Sequence, residues 1–344
     1  MACRLFRRAV QQGPSERRGD AYSVPYVEPL SDARTPLAGF VNSLLGIGRP
    51  NWRSFMSKTP LSLPILQHVF HPSDFSSASK TAFAHALKAA LVAKATLTIF
   101  HVSPDGEENW TEFPGVRQTL ERWGMLPKDS PKSAVPELGI QIKKIVAQDK
   151  DPVKAVLGFL EHHPSDLIVL ATQQDKGRVQ WLENSVAKPV ARKSHQMTLF
   201  IPTGVEGFVS LKDGSVSLKN ILIPVARVPK AQPAIQAAVR IAQRLNCPTG
   251  QFTILHVGDG SEMPEVSCPE LPGWEWTKMS EKGDITQVIL QTAHGMEADL
   301  IVMSTEGRQG FLDALRGSNS EQVLRQCGCP LLAIPADSRV SSVL

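Results

Sequence analysis

One stretch of this chain occurs twice. Residues 166–202 (DLIVLATQQDKGRVQWLENSVAKPVARKSHQMTLFIP) and residues 299–335 (DLIVMSTEGRQGFLDALRGSNSEQVLRQCGCPLLAIP) align at a constant offset of 133 with no gap, and 13 of the 37 positions are identical. The likeness runs further back. Asp151 aligns with Asp284, LTIFHV (97–102) matches FTILHV (252–257), and the apolar run ending at Pro72 matches ILIP ending at Pro224. The chain therefore holds two copies of one unit, about 64–202 and 219–335, and any fold must accommodate the unit twice.

Within each copy, short apolar runs alternate with helical periods. Copy one predicts strands at 65–70, 95–102, 139–146, 167–171 and 198–201, with helices over 76–92, 116–123, 152–162 and 180–193. In the first helix Phe83, Ala86, Leu87, Ala90 and Leu91 recur three and four apart, as a buried stripe requires. Asp151 followed by Pro152 is a helix start, because Asp caps free N–H groups and Pro is tolerated in the first turn. Copy two predicts strands at 220–225, 251–257, 273–279, 299–303 and 331–334. Apolar strands without alternation, separated by helices, imply a parallel sheet covered on both faces. Ligands of such sheets bind beyond the carboxyl ends of the strands, where the strand order switches. Between the copies, residues 208–218 read as a hairpin turning at Asp213-Gly214. The expected division is an extension (1–55), a first domain (56–203), a linker or hairpin (204–218) and a second domain (219–344).

The charge balance removes several classes of function. Net charge is +4, but residues 1–55 carry eight Arg against four acids, leaving 29 charges of each sign in the remainder. A neutral body without clustered Lys and Arg is not a nucleic-acid surface. No uncharged apolar stretch reaches eighteen residues, so no membrane-spanning helix is expected. The five cysteines (3, 247, 268, 327, 329) form neither a disulfide framework nor a C-x-x-C metal pair, and Cys327 and Cys329 read as core or strand edge. No metal site is expected, and a reducing cytoplasm is the simplest compartment. Residues 1–55 read as a disordered extension or an over-long start, with a targeting peptide as the alternative.

The chemistry-bearing residues follow the fourth strand of copy two. Ser304, Thr305, Glu306 and Gly307 are followed after nine residues by Gly317, Ser318 and a helix. Glycines allow close backbone approach to an anion, and the helix start offers free N–H groups. Walker, H-E-x-x-H and G-x-S-x-G motifs are absent, and no nucleophile and base pair can be assigned, so no catalytic residue is expected. His101 and His256 occupy equivalent ends of the second strand, where they are either packed core histidines or crevice contacts.

On these residues the chain resembles the universal stress protein family in its tandem-domain form. Nucleotide-binding members carry G-x-x-G-x9-G-[S/T] after strand four and an Asp just after strand one. The resemblance implies an α/β fold of two tandem Rossmann-like domains, each a five-stranded parallel sheet with helices on both faces. It also implies ATP, with Mg, as ligand, and at most slow hydrolysis. The implied nucleotide-binding set lies in copy two: Pro224, Val225, Val257, Met303, Ser304, Glu306, Gly307, Gly317, Ser318 and Asn319. Ser304 replaces the first motif glycine, and Ala226 stands in place of the Asp. Copy one keeps the acid as Asp74, but Ala171 and Gln174 replace two glycines and Asn184-Ser185 replaces Gly-Ser, so its site is vestigial. Two functions are expected from this split. One is a nucleotide-responsive module; the other is a nucleotide-independent scaffold acting through a protein partner or a homodimer.

Overall fold

The computed structural model describes residues 26–27, 66–104, 111–172, 196–305 and 319–335. In chain order the elements are β1 (Tyr26–Val27), β2 (His68–Pro72), α1 (Ser77–Ala93), β3 (Thr96–Ser103), α2 (Val116–Arg122), α3 (Ala134–Glu137), β4 (Gln141–Gln148), α4 (Pro152–His162), β5 (Leu167–Thr172) and β6 (Met197–Pro202). The second copy contributes β7 (Asn220–Val225), α5 (Gln232–Arg244), β8 (Gly250–Val257), β9 (Trp274–Glu281), α6 (Ile285–Gly295), β10 (Leu300–Thr305), α7 (Asn319–Gln326) and β11 (Leu331–Pro335). The expected strands recur within three residues of their bounds. The helix expected over 180–193 lies outside the described residues.

All eleven strands form one sheet, ordered β1-β4-β3-β2-β5-β6-β11-β10-β7-β8-β9. The five strands of each copy are parallel to one another, and in each copy the first strand lies between the second and the fourth. The copies meet where β6 and β11 pair antiparallel, Leu331 opposite Phe200 and Ala333 opposite Thr198. Every residue of β11 is buried, as is every residue of β6 after Met197, because each strand has neighbours on both edges and helices over both faces. At the far edge Tyr26–Val27 pairs antiparallel with β4.

Side chains alternate between two cores. One face packs against α1, α2 and α5, the other against α4, α6 and α7. Helices α1 and α5 approach the sheet through alanines four apart, Ala82, Ala86 and Ala90 in one and Ala234, Ala238 and Ala242 in the other, all fully buried. Asp151 Oδ1 accepts from the N–H groups of Val153 and Lys154, and Asp284 Oδ1 accepts from Gln287 N–H at 2.9 Å, so the expected cap is present in both copies. Asp166 and Asp299 hold equivalent strand starts. Asp166 accepts from Gln67 and His68 N–H, and Asp299 from Lys219 and Asn220 N–H.

The expected hairpin is present, with Val209 bridged to Val216 and Ser215 bonded to the Asp213 carboxylate through both its N–H and its hydroxyl. It covers helices of the first copy. The N–H groups of Phe208 and Val209 each donate to His85 Nε2 at 3.2 Å, and Arg122 and Trp123 both donate to Leu211 O. Gly214 has φ +67°, and a Cβ there would run into the Trp123 ring.

Cys327 and Cys329 lie in the core, as expected. Burial pushes the Cys327 thiol up to about 12 and raises Cys329 as well. Neither is expected to react with iodoacetamide at about pH 8 in the folded chain, whereas half-buried Cys247 and Cys268 should label ahead of them. Peptide mass spectrometry before and after unfolding reads this directly.

Candidate functional site

The switch in strand order falls between β7 and β10 in the second copy and between β2 and β5 in the first. Each switch opens a crevice at the carboxyl ends of the strands.

In the second copy Val225 pairs with His256, and the register that sets Leu300 opposite Ile221 brings Ser304 level with Val225. Alternation turns Val225, His256 and Ser304 to the α5 face together. The His256 ring is nearly buried, and its Nδ1–H donates to Val225 O at 3.3 Å. That bond leaves Nε2 as an acceptor. It is buried and has no partner among the described residues, and the same holds for Ser304 Oγ. A buried polar atom without a hydrogen bond costs about 1–3 kcal/mol, so two on one face at one level mark a place where a polar ligand would repay its own desolvation. Gly258 follows with φ +151°, and a Cβ there would stand 3.0 Å from His256 Nε2. Glycine keeps the ring accessible from the strand end.

Pro224 is half-buried beside Val225, whose side chain faces the crevice. Met303 and Val257 differ: alternation turns both side chains into the core on the other face. Only their backbone borders the crevice. Asn319 begins α7, and Glu306, Gly307, Gly317 and Ser318 lie outside the described residues. Asp259, two residues past Val257, was not anticipated. Its carboxylate accepts from Ser261 N–H and Oγ and faces Lys282 Nζ at 3.3 Å. The Ser261 bonds, then Lys282, hold it below the ordinary carboxylate range.

In the first copy the crevice is filled. His101 Nδ1–H donates to Ser73 O at 2.8 Å, the counterpart of the His256 bond. Phe75 adopts φ 61° and stacks on the His101 ring, with centroids 4.0 Å apart, while Phe113 meets it edge-on. A bulky residue in the left-handed region is strained by about 1–3 kcal/mol, which stacking and burial offset. Asp74 is exposed and accepts from the N–H of Ser76, two residues on, and it is Ser76 that caps α1. Ala171 packs against the core; Gln174, Asn184 and Ser185 lie outside the described residues.

One signal separating the crevices was present in the aligned strand ends, His-Val-Ser in copy one and His-Val-Gly in copy two. Among the described residues no three His, Cys, Asp or Glu side chains gather to hold a metal ion, and no helix is long and apolar enough to cross a membrane.

Comparison with known proteins agrees with this architecture. A universal stress protein from Methanocaldococcus jannaschii is 24% identical over 151 aligned positions, covering 36% of this chain and 86% of the relative. The crystal structure of a universal stress protein from Archaeoglobus fulgidus superposes with a TM-score of 0.50 at 18% identity, covering 78% of this chain and 97% of that one. One described as a putative universal stress protein from Pseudomonas aeruginosa gives 0.53 at 12% identity, covering 82% and 97%. At these identities the two structures speak to the fold alone. The model of the Universal stress protein family matches residues 66–202 and 271–335, more than half of the chain. With that match over both copies of the repeated unit, this chain belongs to the universal stress protein family.

Proposed function

We propose that the chain is a cytoplasmic, nucleotide-responsive stress-signalling module with one ATP site, in the crevice of the second copy. The observation that carries this reading is the pair of buried, unpartnered atoms, His256 Nε2 and Ser304 Oγ, flanking Val225 at the switch in strand order. A ribose hydroxyl or a base amine suits the bare imidazole acceptor, and a ligand oxygen suits the serine hydroxyl. In the first copy Phe75 occupies the equivalent space, so one site per chain is the expected stoichiometry. Membership of the family supports the nucleotide class. The loop from Glu306 through Gly307 to Gly317 and Ser318 supplies the phosphate contacts in this reading, with Mg accompanying the phosphates.

Isothermal titration of Mg-ATP into the full chain tests it. One site per chain is expected, weakened about tenfold in Ser304→Val and in His256→Leu, since each loses one hydrogen bond to the ligand. Gly317→Val should abolish binding with the fold intact. Phe75→Ala should still leave the stoichiometry at one, since Gln174 and Asn184 stand where the second copy has Gly307 and Gly317. Absence of heat at several temperatures would overturn the nucleotide reading and leave a scaffold that acts through protein contacts.

A further inference from the structure

Where the two copies meet, the sheet carries a cavity of about 220 Å³, between α1 and α5 and over the β6–β11 seam. Leu199 and Leu332 form its floor, Ala89 and Ile241 stand on either wall, and Phe208 of the hairpin closes one side. Leu66, Asp166 and Leu167 also line it, so on the first copy's side it reaches the amino ends of β2 and β5.

The apolar wall carries three cations: Lys88 from α1, and Arg240 and Arg244 from α5. Lys88 and Arg240 hold equivalent places, each two residues before the last alanine of its helix stripe (Ala90, Ala242). Arg240 and Arg244 are four apart on one helix, a spacing at which like charges repel. Arg244 in the last turn complements the helix dipole, but Arg240 lies a turn earlier and is partly withdrawn from water. Its Nη2 is buried and has no hydrogen-bond partner among the described residues. Burial lowers both the Arg240 guanidinium, with Arg244 adding to the effect, and the Lys88 amine, which Asp213 partly restores. The one acid in the lining, Asp166, is already bonded to the Gln67 and His68 N–H groups, and Asp213 to Ser215. Arg240 and Lys88 are thus partly withdrawn from water beside an apolar floor, with Arg244 exposed next to them.

We infer that this cavity binds a small anionic amphiphile, a medium-chain carboxylate, with its head group on Arg240 between Arg244 and Lys88 and its tail over Leu199 and Leu332. A guanidinium fork and a carboxylate match in shape as well as charge, and the tail exchanges water for the apolar floor. The chain's own first 55 residues are a poor occupant, since they carry eight Arg against four acids and would face these cations with like charge. The inference does not depend on the nucleotide reading, because the two sites share no lining residue: Val225, His256 and Ser304 are absent from this cavity.

The test is a calorimetric titration of laurate, below its self-association concentration, into the full chain with and without saturating Mg-ATP. One laurate per chain is expected in both conditions. Binding should weaken about tenfold in Arg240→Gln, and lauryl alcohol, which has the same tail without the charge, should bind at least tenfold more weakly. Ala89→Phe, folded by circular dichroism, should block binding by filling the cavity. Absence of laurate binding overturns the inference, as does binding that lauryl alcohol matches or that Arg240→Gln leaves unchanged. The arginine variant keeps the test decisive if Ala89→Phe does not fold.

Discussion

Between pH 7 and pH 4 the folded chain should lose about 6 kcal/mol of stability through two histidines, about 3 kcal/mol from each. His71 and His85 are almost wholly buried, and burial lowers both to about 4 from an ordinary value near 6.5, against a smaller opposing effect of hydrogen bonds to Val169 O and Thr81 O. The unfolded chain takes up protons on these rings below about pH 6.5, while the folded chain does not until about pH 4. Stability is therefore fully present above 6.5 and falls as the pH drops through that window, by about 1.4 kcal/mol per pH unit for each ring. Urea unfolding at a series of pH values measures the slope. His71→Ile isolates one contribution, since Ile223 stands at the equivalent position of the second copy. The substitution also removes an imidazole Nε2 that is buried without a partner. It should leave stability at pH 7 within about 1 kcal/mol and halve the acid slope. An unchanged slope would show that His71 is not the titrating group.

The second large effect is at His85. Its Nδ1–H is committed to Thr81 O, so Nε2 is a bare acceptor, and it takes two backbone N–H groups from the hairpin. The ring also meets Phe208 edge-on, with centroids 4.7 Å apart. His85→Ala strands two buried N–H groups and opens a void, and should cost about 3–5 kcal/mol. Hydrogen exchange locates the damage: the amides of Phe208 and Val209 should lose protection before those of β6 and β11. Stability loss with those two amides still protected would mean that another acceptor has replaced the imidazole. The second copy has Ala237 at the matching helix position, so only the first copy grips the linker this way.

The fold was legible because the repeat fixed the number of units and each copy displayed unbroken apolar strands between helical periods. The acidic caps at Asp151 and Asp284 were legible for the same reason: a carboxylate followed by a helical period has one local use. The crevice in the second copy was half legible. The glycines and Ser304 pointed to the carboxyl ends of the strands, but nothing in the order of residues said that His256 would spend Nδ1 on the neighbouring carbonyl and leave Nε2 bare. The eroded loop of the first copy was legible, but the filling of its crevice by Phe75 was not. A phenylalanine at φ 61° runs against its own backbone preference, and only the His101 and Phe113 rings, brought in from elsewhere in the chain, hold it there. The cationic cavity was hidden for a related reason, since its lining comes from two helices, several strands and a hairpin that meet only after folding.

The antiparallel seam between β6 and β11 also bears on how such a chain can change. In a pair of identical subunits every substitution appears at both sites, so a side chain that blocks one crevice blocks the other. Here the two halves are held together by one chain but written separately. Phe75 can fill one crevice while Gly258 keeps the other clear. The covalent joint thus lets the two crevices diverge without losing the partner surface that buries β6 and β11.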